Sequence, residues 1–423
     1  VSPPFDQQPS PGYLIRRQLH GPLRLALADT RVVVLLGARQ VGKTTLSRAV
    51  AAEAADMTIV SLDDRTRRDA ANADPTGFLT ELPRPVLIDE IQRAPDLLYE
   101  IKDIVDKDTR PGQFLLTGSA NILTAPKIKE ALPGRTEYLT LWPFSQAELV
   151  GARQNFVDTL LAGAPPQVSG APVGRTAFVD VLARGGYPEA RLRAPARRSV
   201  WYRDYIRSLV ERDLRDVGEI QRLDRIPRLL RLIASQAANL FVASSLGEKL
   251  RIDNETAETY TTLLETIYIV RRHQAWTPGI GSREVQREKI YVVDSGLMAH
   301  LLGANEDRIR RDDQVTGKLL ENFVAMEIAR LVDVSDSQPR QYHYRERAGR
   351  NEIDIILETL SGEVAAAEVK AAATVGPADY RALGKLRDAR DGDFIAGVVF
   401  YTGSDTVPLA DRLWAVPISA LWA

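Results

Sequence analysis

The sequence predicts an α/β multidomain fold: a parallel-sheet core built on a phosphate-binding loop, a helical middle that includes a winged helix, and a small sheet domain at the end. Three observations carry this. An apolar run at 32–36 leads into GARQVGKT at 37–44 and then into helical sequence. A Pro/Gly-rich stretch, GAPPQVSGAPVG at 163–174, separates that unit from a long arginine-rich helical region. Near the end, NEIDIIL at 351–357, EVAAAEVK at 363–370 and FIAGVVFY at 394–401 read as three strands.

The phosphate-binding loop is the most specific of these signals. Strand, glycine loop and helix in that order are the context in which G-x-x-x-x-G-K-T binds phosphate. Gly37 and Gly42 let the backbone curl so that the N–H groups of Ala38, Arg39, Gln40, Val41, Lys43, Thr44 and Thr45 can face phosphate oxygens. The helix beginning there adds the positive end of its dipole. Lys43 is expected to reach the outer phosphates of ATP, and the Thr44 hydroxyl to hold Mg²⁺.

At 423 residues the chain is too long for one ordinary core. Its composition, 44% hydrophobic and 26% charged, is that of a globular protein. A formal charge of −1 gives no global field for nucleic acid, so such binding needs a local patch. With no cysteine there is no disulfide, thiolate zinc site or cysteine nucleophile, which fits a cytoplasmic location. No apolar run approaches the ~20 residues of a membrane helix. Residues 1–12, VSPPFDQQPSPG, read as a disordered tail rather than a signal peptide.

The first domain is assigned to 13–162. Residues 13–28 have helical spacing of leucines, and 57–62 form a short strand ending in Asp63 and Asp64. Those two carboxylates could face the nucleotide or cap a turn. PVLIDEIQ at 85–92 is a strand that delivers Asp89 and Glu90 at its end. Asp89 is expected to hold Mg²⁺ and Glu90 to polarise the attacking water. FLLTGS at 114–119 is a further buried strand; Ser119 and Asn121, and less favourably Thr117, are candidates to sense the γ-phosphate, with a helix cap as the alternative. Arg135 in the following loop could reach a phosphate across a subunit boundary of a homo-oligomer, or make an exposed salt bridge.

Together GARQVGKTTL, LDD, VLIDEIQRAP, LLTGSAN and LPGRTEYLTLWPFSQAEL resemble the AAA-type ATPases of the AAA_14 family that precede a DUF4143 domain. The resemblance covers about 13–150. It implies a RecA/AAA-like core with the catalytic glutamate beside the Mg²⁺ aspartate, and Lys43, Asp89 and Glu90 all stand in place.

Beyond the linker, 175–240 is expected to be helical. Trp201, Tyr205 and Leu209 form a core stripe, and the run of arginines from Arg197 to Arg231 reads as a salt-bridged face or, alternatively, a phosphate contact. Residues 241–303 have the grammar of a winged helix. Ser244 and Ser245 can cap a short helix, Asn254 a second one, and 267–270 with 289–293 supply the wing. The second helix carries Glu255, Glu258 and Glu265, which repel phosphate, so a protein partner is as good a reading as DNA. RGGYPEA, WYRDYI and KIYVVDSGLMAHLLG in 175–303 resemble the DUF4143 pattern.

Residues 304–423 are assigned to a restriction-endonuclease-like domain of PD-(D/E)xK type. Asp354 and Glu368-x-Lys370 have the D…ExK spacing. Asp354 and Glu368 are expected to bind Mg²⁺, with Glu321 from the preceding helix as an outer ligand and Lys370 orienting water. The tail also resembles the nuclease-fold end of many DUF4143 proteins. It could cut DNA or bind it without cutting. Two functions follow: an ATP-driven enzyme acting on nucleic acid, or a nucleotide-controlled switch that binds a protein partner.

Overall fold

The computed structural model describes residues 15–54, 56–118, 133–152, 155–166, 168, 173–214, 222–279, 283, 286–346 and 351–422. The first sheet is parallel, with strands β1 (Val32–Leu36), β2 (Thr58–Ser61), β3 (Val86–Asp89), β4 (Phe114–Thr117) and β5 (Thr136–Thr140). Their spatial order is β2-β3-β4-β1-β5. Every residue of β1 is buried, because helices cover both faces of a parallel sheet. Val33 and Leu35 pack with Leu46 and Val50 of the helix Lys43–Glu53. Val32, Val34 and Leu36 pack on the opposite face with Leu97, Ile101 and Val105 of the helix Leu97–Lys107. The strand β4 lies between β1 and β3, so the glycine loop and the acidic pair leave the sheet at the same edge, one strand apart.

In the middle, helices Ala243–Leu250 and Asn254–Thr266 meet across a tight turn in which Arg251 is left-handed. An antiparallel pair follows, β6 (Val270–His273) with β7 (Lys289–Val292). The caps differ from expectation. The first helix has Val242 at its N-cap with no side-chain bond, and Asp253 rather than Asn254 caps the second. Arg272 of β6 lies against Glu258 and is 2.9 Å from Glu265, so two of the second helix's three glutamates share one cation from within the domain.

The last sheet contains β8 (Arg340–Arg345), β9 (Glu352–Glu358), β10 (Val364–Val369), β11 (Phe394–Tyr401), β12 (Val407–Ala410) and β13 (Leu413–Pro417), in the order β12-β13-β11-β10-β9-β8. Strands β10, β11 and β13 are parallel to one another, and β9 is antiparallel to β10. Strands β5, β12 and β13 have no counterpart in the sequence reading.

The helix Asp313–Val332 joins the three parts. Leu319, Leu320, Phe323, Val324, Ile328 and Leu331 are buried along it. Asn322 both accepts from Val292 N and donates to Val292 O at 2.8 Å, docking it onto β7. Glu327 accepts from Gln146 N at 2.7 Å, docking it onto the first domain. Such buried polar contacts fix one geometry, because each leaves a costly orphan if it slips. The first helix begins at His20 rather than near 13, and residues 13–14 lie outside the described residues. Among the described residues no helix is long and apolar enough to cross a membrane.

Candidate active site

The glycine loop adopts the curl its sequence requires. Gly37 has φ +142°, and a Cβ there would sit 2.2 Å from Leu141 O. Gly42 has φ +101°, and Gln40 between them is also left-handed at +64°. Arg17 braces the outside of the loop, donating from Nη1 to Val41 O at 2.8 Å and from Nε to Glu148 Oε1 at 2.9 Å.

Lys43 opens the next helix and folds back over the loop, its Nζ 2.9 Å from both Gly37 O and Ala38 O. It is 7% exposed. Burial pushes its pKa down to about 8, against the pull of Glu90 and Asp89. Such a cation at the head of a helix suits a polyanion. Thr44 Oγ1 stands 3.2 Å from both carboxylate oxygens of Asp89. Thr117 at the end of β4 donates from its hydroxyl to Asp89 and accepts from Glu90 N at 3.3 Å. Glu90 itself is left-handed, at φ +61°, and its carboxylate accepts from Gln92 Nε2. A hydroxyl and a carboxylate in contact at the mouth of a phosphate loop are a donor set that fits Mg²⁺ with ATP.

The middle domain also touches the loop. Arg39 Nη2 is 2.9 Å from Asp213 Oδ1, in a single π-helical turn (Leu209–Asp213), and Tyr205 Oη donates to Arg39 O at 3.2 Å.

Asp64 and Arg135 take the alternatives open to them, a helix cap and a salt bridge. Asp63 pairs with Arg93 at 2.6 Å and Asp64 caps the next helix through Arg67 N, so neither turns to the loop. Within the chain Arg135 pairs with Asp106, and it precedes β5 at the end of the sheet where β1 begins. Ser119 and Asn121 lie outside the described residues, and Thr117 is the polar side chain that the described part of β4 brings to the acidic pair.

At the other end of the molecule, Asp354 on β9, Glu368 on β10, Lys370 and Glu321 line one cleft of about 480 Å³. The residues expected as a metal set share that cleft with a cation. Lys289 of β7 stands among the carboxylates, its Nζ 3.0 Å from Glu321, 2.8 Å from Glu352 and 3.1 Å from Asp354. Among the described residues no group of three or more His, Asp or Glu is disposed to hold a metal ion. Burial, and then Asp354, raises Glu321 to about 8 and Glu368 to about 9. Burial alone would raise Asp354 too, but Lys289 beside it holds its carboxyl below the usual range.

A parallel sheet with an inserted β4, a glycine loop and a Thr–Asp–Glu cluster define an ATPase of the Walker type. Residues 29–150 match the AAA domain (AAA_14), 175–308 a domain of unknown function (DUF8612), and 316–421 a second such domain (DUF4143). The DUF4143 match therefore falls on the last sheet domain rather than on 175–303. Two proteins, from Mycobacterium bovis and Mycobacterium tuberculosis, are each 31% identical over 406 residues, covering 95% of this chain and 83% of theirs. The chain belongs to the AAA_14/DUF4143 family of AAA-type ATPases. Among solved structures it is similar to a Walker-type ATPase of Pyrococcus abyssi, at 17% identity and TM-score 0.45 over 70% of this chain and 99% of that one. The Thermotoga maritima RuvB Holliday junction branch migration motor matches at 19% identity and TM-score 0.29, over 62% and 90%.

Proposed function

We propose that the chain is an ATP-hydrolysing switch whose nucleotide state is read by the middle domain. One observation carries this: Arg39 of the glycine loop is tied to Asp213 and Tyr205 of the middle domain. A phosphate entering the loop must draw Lys43 off Gly37 O and Ala38 O, and any accompanying shift of Arg39 is felt at Asp213. In this reading Lys43 binds the outer phosphates and Thr44 with Asp89 would hold Mg²⁺, which neutralises charge on the phosphates. Glu90 orients and polarises the water. Thr117 keeps Asp89 and the Glu90 backbone in register, and Gln92 must release Glu90 before it can act.

Glu90→Gln should retain ATP and lose turnover by roughly 10²–10⁴-fold, the usual weight of a general base. Asp213→Asn should keep turnover within a few-fold while removing the nucleotide-dependent change in hydrogen exchange at Leu209–Asp213. Identical exchange there with and without ATP in the unsubstituted chain would defeat the switch.

A second reading, action on nucleic acid through the last domain, is favoured by Lys370 standing 3.5 Å from Glu368 in the same cleft as Asp354. A panel of single-stranded, duplex and branched DNA tests it. Binding that weakens with salt, and weakens further in Lys370→Ala, supports phosphate contact there.

A further inference from the structure

The carboxylates of the last domain already have a cation. A lysine ammonium has three N–H donors and no acceptor. Around Lys289 three carboxylates, Glu321, Glu352 and Asp354, each present an oxygen within 3.1 Å. Its donors are thereby all used. The side chain does not visit from a flexible loop: Lys289 is 1% exposed. Its backbone is clamped on both sides, paired with His273 of β6 and bridged to Leu240 on the other. Phe241 N donates to Glu288 O at 2.7 Å and Ile290 N to Asn239 O at 3.1 Å. The pairing fixes the backbone that carries the ammonium, and the three ion pairs hold the ammonium itself.

Other contacts hold β7's domain on this sheet. Arg283 makes a two-pronged bond to Glu358, 2.7 Å on each arm, and Trp276 Nε1 donates to the same carboxylate at 2.9 Å. Trp276 N also donates to His343 O at 2.6 Å, beside the bridge between Ala275 and His343. The strand that carries the ammonium is therefore held on this sheet by a fixed interface.

We propose that Lys289 is the resident cation of the C-terminal carboxylate cluster, filling the place a divalent metal would take on Asp354. A metal seated on Asp354 would lie within a few ångströms of the ammonium, and like charges that close repel strongly. Asp354, Glu368 and Lys370 then form a polar seam fastened by the middle domain, not a metal-dependent phosphodiesterase centre. The inference is independent of the ATP site.

The test is Mn²⁺ binding to the full chain without nucleotide, read by the loss of the free-ion electron paramagnetic resonance signal. The unsubstituted chain and Asp354→Asn should bind equal amounts of Mn²⁺. Lys289→Met, which leaves the cluster without its cation, should gain one site at least tenfold tighter than any in the unsubstituted chain, and Lys289→Met with Asp354→Asn should lose it. A site in the unsubstituted chain that Asp354→Asn removes overturns the proposal, and so does a folded Lys289→Met chain that gains none. The comparison of the unsubstituted chain with Asp354→Asn decides the matter even where Lys289→Met does not fold.

Discussion

Thr44 Oγ1 lies 3.2 Å from both oxygens of the Asp89 carboxylate, joining the end of the glycine loop to the end of β3. Thr44 is in the first turn of the helix that follows β1 and Asp89 ends β3, and β4 separates those two strands, so the contact exists only when the parallel sheet is in register. Asp89→Asn keeps the shape and removes the charge that would hold the metal with Thr44. Steady-state ATPase assays should show turnover down on the order of 100-fold, the scale of a lost electrostatic stabiliser. Thermal stability should change little, since the amide can still accept from Thr44 and Thr117. Turnover within a few-fold of the unsubstituted chain would remove Asp89 from the metal set.

Thr117 serves both acidic residues with one hydroxyl, donating to Asp89 and accepting from Glu90 N. Thr117→Val has nearly the same volume but no hydroxyl, and it leaves the Glu90 N–H without that acceptor. A stability loss of about 1–2 kcal/mol is expected from the unmade bond. Turnover should fall roughly tenfold with ATP affinity held within about twofold, because the misplacement affects the water-orienting carboxylate rather than the phosphate cradle. An equal loss in binding and turnover would assign Thr117 to the cradle instead.

At Gly37 two constraints coincide, a backbone at φ +142° and a carbonyl, Leu141 O, 2.2 Å from where a Cβ would stand. Because the obstacle is backbone, it cannot rotate away. Gly37→Ala should abolish binding of a fluorescent ATP analogue while leaving the circular dichroism spectrum close to that of the unsubstituted chain. Retained binding would show that the loop tolerates a wider curl than the one seen.

These sites differ in how far the sequence announces them. Gly37 to Thr44, Asp89 and Glu90 are legible because each belongs to a short run in which local order and chemistry coincide. Thr117 is legible as a strand end, but Ser119 looks the better sensor, since a sequence does not say which end-of-strand hydroxyl points at the acidic pair. The Arg39–Asp213 pair is not legible: the partners are far apart in the chain and meet through tertiary packing alone. Lys289 has a signal that goes unread, a lysine opening the apolar run KIYVV, where burial forces the ammonium to find carboxylates. The D…ExK spacing is visible in the sequence, whereas the cation within it is not, because it comes from another domain. β12 and β13 are not legible because VPLA is short and interrupted by proline and LWAVP is short and ends on one.

His343 offers a pH test of the same interface. It is buried, and burial, with Lys289 nearby, holds its pKa down at about 4. Its Nε2 is 3.1 Å from Arg287 O, and Glu352 and Asp354 pull weakly the other way. In the unfolded chain a histidine titrates near 6.5. Between those two values the unfolded chain binds the extra proton, so this residue's contribution to stability is present above about pH 6.5 and is lost as pH falls toward 4. From pH 7.5 to 5 the loss is about 2 kcal/mol. Glu321 and Glu368, raised to about 8 and 9, act in the opposite sense and favour the fold as pH falls, so the raw profile is a sum. The readout is therefore the difference between the unsubstituted chain and His343→Gln in urea melts at the two pH values. The substituted chain should lose less stability on acidification by about 2 kcal/mol, and equal losses in the two chains would mean that His343 is protonated in the fold.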